Sequence, residues 1–424
     1  METALLIVIL LTGFYMAWNI GANDVANAMG TSVGSGALTL KRAVIIAAVL
    51  EFSGAFFFGS HVSKTMQSGI VNPEIFSNNP QILVFGMLAA LGSAGIWLQL
   101  ASYYGWPVST THSIVGAIIG FGAIVGGIEA VYWTNVAYIV SSWVISPLLG
   151  GILGYYIFIL LRKQIFYAHN PVAATRRWTP LIVFVVSLVL ALILVFEGFH
   201  NLHLELSLWV KVGLVLLLGC LGALIGYLAV QRIPPTLPIK GKSGRKWIAA
   251  SHQEYATVEK VFAYLQITSA CMMAFVHGAN DVANAIGPLS AAVAILTTGL
   301  YAVEAPVPTW ALALGGVGIV IGLATWGWRV IETIGKKITE LTPSRGFSAE
   351  FAAAATIALA SRLGMPVSTT HTLVGAVIGV GFARGLEAVN LTTTRDILIS
   401  WVVTVPLGAL LAILLFFPIK FVFG

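Results

Sequence analysis

Long apolar runs alternate with short polar breaks along almost the whole chain. Runs of spanning length fall at 4–20, 43–60, 82–102, 134–161, 179–196, 207–230, 309–328 and 397–417. A bilayer core takes roughly 20 apolar residues of helix, and in hydrocarbon the backbone must satisfy its own hydrogen bonds. The runs therefore predict helices, not isolated strands. Total length and helix rise predict roughly ten to twelve crossing or re-entrant elements, an all-α polytopic membrane protein. The first run has no Lys or Arg before it and no small-residue cleavage site after it, so it reads as a retained helix.

Two polar phrases interrupt this pattern, and each occurs twice. Gly21-Ala22-Asn23-Asp24-Val25-Ala26-Asn27-Ala28-Met29-Gly30 returns as Gly278-Ala279-Asn280-Asp281-Val282-Ala283-Asn284-Ala285-Ile286-Gly287, identical at nine of ten positions. Pro107-Val108-Ser109-Thr110-Thr111-His112 returns as Pro366-Val367-Ser368-Thr369-Thr370-His371. The copies are 257 residues apart for the first phrase (278 − 21) and 259 for the second (366 − 107), so each half carries both phrases in the same order. Polar groups duplicated inside apolar surroundings predict a transport site between two repeats of inverted topology with broken helices.

The first phrase supplies oxygen. A carboxylate at bilayer depth costs at least about 2.5–3.5 kcal/mol unless paired or solvated. Asn23, Asp24 and Asn27, with Asn280, Asp281 and Asn284, offer an all-oxygen set suited to a hard cation, with carbonyls freed at a helix break expected near Gly21. Asn and Asp also cap half-helices, and a broken helix provides both uses. The second phrase supplies hydrogen-bond donors. A proline just inside a helix start followed by hydroxyls predicts a helix N-terminus, whose unpaired N–H groups and dipole attract oxyanions. Ser109, Thr110, Thr111, Ser368, Thr369 and Thr370 would donate to the same anion; packing of small hydroxyl residues between helices is the alternative. Neither phrase contains Arg or Lys. A multivalent anion would keep most of its charge there, so cations at Asp24 and Asp281 would have to offset it, which couples the two phrases.

Other polar residues are secondary candidates. Glu51 lies within an apolar run and is a coupling candidate by default; Glu350 is either its companion or a cap for the helix after Pro343. His112 and His371 either orient the site as hydrogen-bonded structural groups or carry protons. His277 precedes only the second signature, where the first has Ile20, and carries little weight. Trp133, Trp143, Trp178, Trp209, Trp310 and Trp401 read as interfacial anchors.

Charged residues make up 9% of the chain against about 25% in soluble domains. The net charge of +6 lies in short loops and speaks for topology, not nucleic acid. Arg162, Lys163, Arg176 and Arg177 form one basic loop; Arg232, Lys240, Lys242, Arg245 and Lys246 form another, two spans later. Both are placed in the cytoplasm, and the acidic linker 197–205 outside. The cluster Arg329, Lys336, Lys337 and Arg345 takes no side. The halves divide as 1–231, with extra spans, a cytoplasmic linker loop 232–257, and 258–424. Cys220 and Cys271 are isolated in apolar segments and form no metal motif.

With both phrases present in both halves, the chain resembles the PiT family of inorganic phosphate transporters. The resemblance implies a secondary transporter in the cell membrane that moves inorganic phosphate with a cation, built on an inverted-repeat core and paired as a homodimer. It implies that Asp24 and Asp281 are essential, and that Glu51 and Glu350 match functional glutamates. Members couple to sodium, to protons, or carry metal–phosphate complexes. Sodium is expected here, because the ligands are all oxygen and no lysine or buried histidine pair suggests a proton relay. Alternating access is expected to slide a signature core against a scaffold that includes 134–230. An anion channel would need pore-lining rings of charge, and a phospholipid enzyme a third catalytic partner; neither is visible.

Overall fold

The computed structural model describes residues 2–198, 206–233, 244–298, 306–336, 339–385 and 389–424. Residues 199–205 of the expected acidic linker, and Lys240 and Lys242 of the second basic loop, fall outside these ranges. Among the described residues the secondary structure is helical apart from one isolated bridge between Val71 and Val131. Among the described residues, eight helices are long and apolar enough to cross a membrane.

In chain order the helices are α1 (Glu2–Gly34), α2 (Leu40–Phe58), α3 (Ser60–Ser68), α4 (Pro80–Tyr103), α5 (Thr110–Val125), α6 (Trp133–Leu161), α7 (Pro171–Ile193) and α8 (Leu208–Gln231). The second half contributes α9 (Gly244–Asp281), α10 (Ala283–Thr298), α11 (Thr309–Trp326), α12 (Trp328–Lys336), α13 (Pro343–Arg362), α14 (Thr369–Arg384) and α15 (Leu391–Phe423). The second run bends by 63° between α2 and α3. The expected linker is shorter than 232–257, because helix α9 already begins at Gly244.

The halves interlock. Helix α1 packs on α11 and α9 on α2; α5 packs on α15 and α14 on α6. These crossings use backbone contact in place of side chains. A Cβ at Gly54 would lie 2.0 Å from the carbonyl oxygen of Phe275, and one at Gly322 would lie 1.8 Å from that of Trp18. Trp18 and Phe275 occupy equivalent places before the two signatures (275 − 18 = 257). Small residues allow such approach where lipid gives no hydrophobic drive to helix association.

The two signature copies fold differently. Helix α1 runs unbroken through Gly21, so no break frees carbonyls there. Gly21 is instead a crossing residue, because a Cβ would meet the Ile319 carbonyl oxygen at 1.9 Å. The second copy does break, at Val282, between Asp281 and Ala283. Pro288 lies in α10 where the first copy has Thr31 (288 − 31 = 257). Proline has no N–H for the Asn284 carbonyl and its ring crowds that turn, which weakens the ladder next to the break.

Helices α7 and α8 stand apart as a hairpin. They pack mainly on each other and share a small apolar cluster of Ala191, Val195 and Val215. Helix α6 does not belong with them, since it is pressed against α14. The expected scaffold segment 134–230 therefore splits into one helix tied to the signature region and one peripheral hairpin.

Candidate ion and anion site

The second phrase builds two helix starts that face each other. Pro107 and Pro366 lie just outside the helices, and Ser109 and Ser368 are the N-caps. Ser109 Oγ accepts the His112 amide at 3.1 Å, and Ser368 Oγ accepts the His371 amide at 3.2 Å. The prolines set the extended entry and do not start the helix, while the serines satisfy one orphan amide at each end. Tight turns with Gly105 (φ +69°) and Gly364 (φ +67°) bring the chain back from α4 and α13 into these starts, a conformation that favours glycine.

The two starts exchange bonds. Thr111 Oγ1 donates to the Val367 carbonyl at 3.1 Å, and Thr370 Oγ1 donates to the Val108 carbonyl at 3.2 Å. Two positive helix ends are thus held together in a buried place, and each leaves first-turn amides without intrahelical partners. Such an arrangement is stable only with negative charge beside it.

The first phrase provides that charge and ties the halves together. Thr369 Oγ1 donates to Asp281 Oδ2 at 2.7 Å, and Thr370 Oγ1 reaches Asp24 Oδ1 at 3.2 Å. Asn27 Nδ2 donates to Thr370 Oγ1 at 2.8 Å, and Asn284 Nδ2 to Thr110 and Thr111 at 3.2 and 3.1 Å. Each of these asparagines therefore reaches the other half's threonines. The earlier asparagines stay within their own half: Asn23 Nδ2 meets Ser102 Oγ at 3.0 Å, and the Asn280 amide meets Ser361 Oγ at 2.8 Å.

Asp24, Asp281, Glu51 and all six Asn and Asp residues of the signatures are buried, as are the six hydroxyl residues. Several oxygens receive no hydrogen bond among the described residues: Asn23, Asn27 and Asn284 Oδ1, Asp24 Oδ2 and both oxygens of Glu51. Buried polar atoms are almost always paired. A concentration of oxygens without donors fits a cation, and hard oxygen donors suit sodium or protons in hydronium form better than a soft metal.

His277 was not legible as a site residue. It lies in the centre, with Nε2 3.1 Å from Asp281 Oδ2 and 3.9 Å from Asp24 Oδ2, and Nδ1 3.4 Å from Glu51 Oε1. The available signal was its spacing: His277 and Asp281 are i, i+4 on one helix face. Its counterpart in the first half is the apolar Ile20, so repetition does not mark it. Asp24, His277 and Asp281 also present ligand atoms within 4.8 Å of one another.

Glu350 is not a cap. It is fully buried within α13 and accepts hydrogen bonds from Thr31, from Ser32 at 2.6 Å and from Ser269 at 2.8 Å. The N-cap of α13 is Thr342, and Glu259 of α9 accepts the Ser344 amide at 2.9 Å and its hydroxyl at 2.8 Å. Glu350 and Glu51 thus occupy separate surroundings, one rich in hydroxyls and one facing His277.

His112 and His371 were expected as hydrogen-bonded structural groups or proton carriers; both ring nitrogens of His112 and Nε2 of His371 lack a hydrogen-bond partner among the described residues. Their rings meet at 4.2 Å, making a buried histidine pair. Trp143 and Trp401 are not interfacial anchors, because they pack on His112 and His371. Trp133, Trp209 and Trp310 are exposed near helix ends, as anchors are.

A buried polar centre of two opposed helix starts and two carboxylates, walled by spanning helices, defines a membrane transport protein. A model described as the phosphate transporter family matches residues 20–412. The chain is 50% identical over 421 residues to inorganic phosphate transporter 2-1, chloroplastic, of Arabidopsis thaliana, across 96% of this chain and 70% of that one. It is 48% identical over 434 residues to a putative phosphate permease of Chlamydia pneumoniae, across 99% of each. A solved structure described as the sodium-dependent phosphate transporter superposes with a TM-score of 0.88 at 41% identity, across 99% of each chain. The chain belongs to the phosphate transporter family, a family of multi-pass transporters and not of enzymes.

Proposed function

We propose that this protein is a sodium-coupled symporter of inorganic phosphate. One observation carries the reading: two helix starts meet at buried threonine hydroxyls, and donor-less oxygens of both signatures surround them. Phosphate would take the amides and hydroxyls of Ser109, Thr110, Thr111, Ser368, Thr369 and Thr370. The threonine hydroxyls would turn from their present partners, whereas the serines would offer mainly their backbone, since their Oγ atoms cap the helices. Sodium would take Asn23, Asp24, Asn27, Asn280, Asp281 and Asn284. Cation binding would neutralise the carboxylates that otherwise repel phosphate, so each ligand requires the other. Glu51 and Glu350 would adjust coupling from outside this centre. The sodium dependence named for the similar solved structure supports the cation.

His277 favours a second reading. Sodium was expected in the absence of a buried histidine pair, yet His112 and His371 form one and His277 lies among three carboxylates. Such a group can hold a proton, or a divalent metal that enters with phosphate. Uptake of labelled phosphate into proteoliposomes under separate sodium and proton gradients decides between them. Sodium coupling requires uptake driven by a sodium gradient with the proton gradient collapsed. Uptake driven only by protons would overturn it.

Inverted repeats, alternating access by a sliding core and a homodimer belong to the same proposal. The paired contacts of Trp18 with Gly322 and Phe275 with Gly54 support the repeat relation. Burial of every site residue supports a carrier over an open anion channel. The cell membrane is the proposed location, with a chloroplastic relative as the alternative setting.

A further inference from the structure

Behind the two helix starts lies a column of four rings that phosphate and cation binding do not use. Trp143 packs on His112 with centroids 3.7 Å apart, His112 meets His371 edge-on at 4.2 Å, and His371 stacks on Trp401 at 3.5 Å. The four rings come from four helices: α6, α5, α14 and α15. The two histidines directly follow the threonines of the anion site. Each is the residue whose amide closes the serine cap.

The column also crosses between helix pairs. Helix α6 packs along α14, yet its Trp143 reaches the histidine of α5; α15 packs along α5, yet its Trp401 reaches the histidine of α14. Both ring nitrogens of His112, and Nε2 of His371, make no hydrogen bond among the described residues. Ring contact is thus a large part of what holds the two imidazoles.

We propose that this column is a spacer that fixes the distance between the two helix starts, making His112 and His371 specificity-determining positioning residues for the anion. The proposal rests on the phosphate reading of the site. A rigid gap discriminates by size, because first-turn amides on opposite sides must both reach the anion's oxygens. Shortening the column lets the starts drift, so the site loses affinity and tolerates larger tetrahedral anions.

The test uses the full-length protein in proteoliposomes with His112→Ala, His371→Ala and the ring-preserving His371→Phe. Both alanine variants should raise the phosphate KM about tenfold, the scale of one or two lost aromatic contacts. Their maximal rate should change less, and their preference for phosphate over the larger arsenate should fall. His371→Phe should restore most of the KM and the preference, with the pH profile of uptake unchanged. Monodisperse elution in detergent checks that each variant is folded; a misfolded alanine variant is replaced by His371→Leu, for which the same loss is expected. Alanine variants with unchanged KM and preference would overturn the spacer. So would a phenylalanine variant as impaired as alanine with a shifted pH profile, which assigns the role to the ring nitrogens. A wild-type protein that binds no phosphate would instead overturn the anion reading, and the spacer with it.

Discussion

At the scale of single residues, the site is an exchange of partners between two copies of one phrase. Asp24 and Asp281 each accept from a threonine of α14, while Asp24 Oδ2 and the Oδ1 atoms of Asn23, Asn27 and Asn284 receive no hydrogen bond among the described residues. Asp24→Asn and Asp281→Asn keep the shape and remove the charge that a cation would answer. Both should abolish sodium-driven phosphate uptake, measured in proteoliposomes; normal uptake with unchanged cation dependence would exclude that aspartate from coupling. Thr370→Val removes a hydroxyl that serves Asp24 and the anion seat together. Losing a hydrogen bond to a charged group costs roughly 1.5–3 kcal/mol, so phosphate affinity should fall by about 10- to 150-fold, read by isothermal titration. Sodium affinity should fall alongside it, and a loss confined to phosphate would separate the two sites. The signature residues were legible because repetition marks them. His277 was not, for the opposite reason: it occurs once, and its importance comes from Glu51 and Asp24 on other helices, a proximity no linear spacing shows. Glu350 was legible as a buried acid but not by its partners, since Thr31, Ser32 and Ser269 reach it from α1 and α9.

At the scale of helices, apolar runs predicted most spans, and the errors lie where packing overrides pattern. A proline, Pro288, directly follows the second signature copy where Thr31 follows the first, and only the second copy breaks. Gly21 looked like a hinge in sequence, yet it serves close crossing with α11. A glycine reads the same in either use, and only the neighbouring helix distinguishes them. The α14–α6 crossing is a comparable case, because a Cβ at Gly379 would sit 2.0 Å from the Gly151 carbonyl oxygen. Gly379→Ala must push the helices apart, and overpacking costs typically 1–3 kcal/mol. The variant should melt at lower temperature in detergent than the parent, with weaker phosphate binding, since α14 begins at the anion site. Gly213→Ala in α8 is the control: nothing lies within 4 Å of its Cβ, so stability should hold or rise slightly. Equal melting of the two variants would show that α14 and α6 do not need this contact.

At the scale of the whole molecule, the question is which helices travel together. The signature helices, α5, α14 and their partners α6 and α15 are joined through backbone contacts and the shared polar centre. The hairpin α7–α8 meets that body chiefly where α7 packs on α9. Between α7 and α13 lies a cavity of about 300 Å³, lined by Leu192, Ile193 and Phe196 on one side and Ala358, Leu359 and Arg362 on the other. A gap at this boundary is where relative motion costs least, because few packed side chains must separate. Sequence indicated extra spans here but could not divide 134–230, since α6 and α7 are both apolar enough to span and their partners are set only in the fold. If the core slides against the hairpin, a link across the gap should arrest it. Cysteines at Ile193 and Ala358, in a background with Cys220 and Cys271 replaced by serine, can be joined by a short bifunctional reagent. The linked protein should keep phosphate binding and lose uptake, and cleaving the reagent should restore it. Full uptake with the link in place would mean that α7 moves with α13, leaving rocking within the signature core as the transport motion.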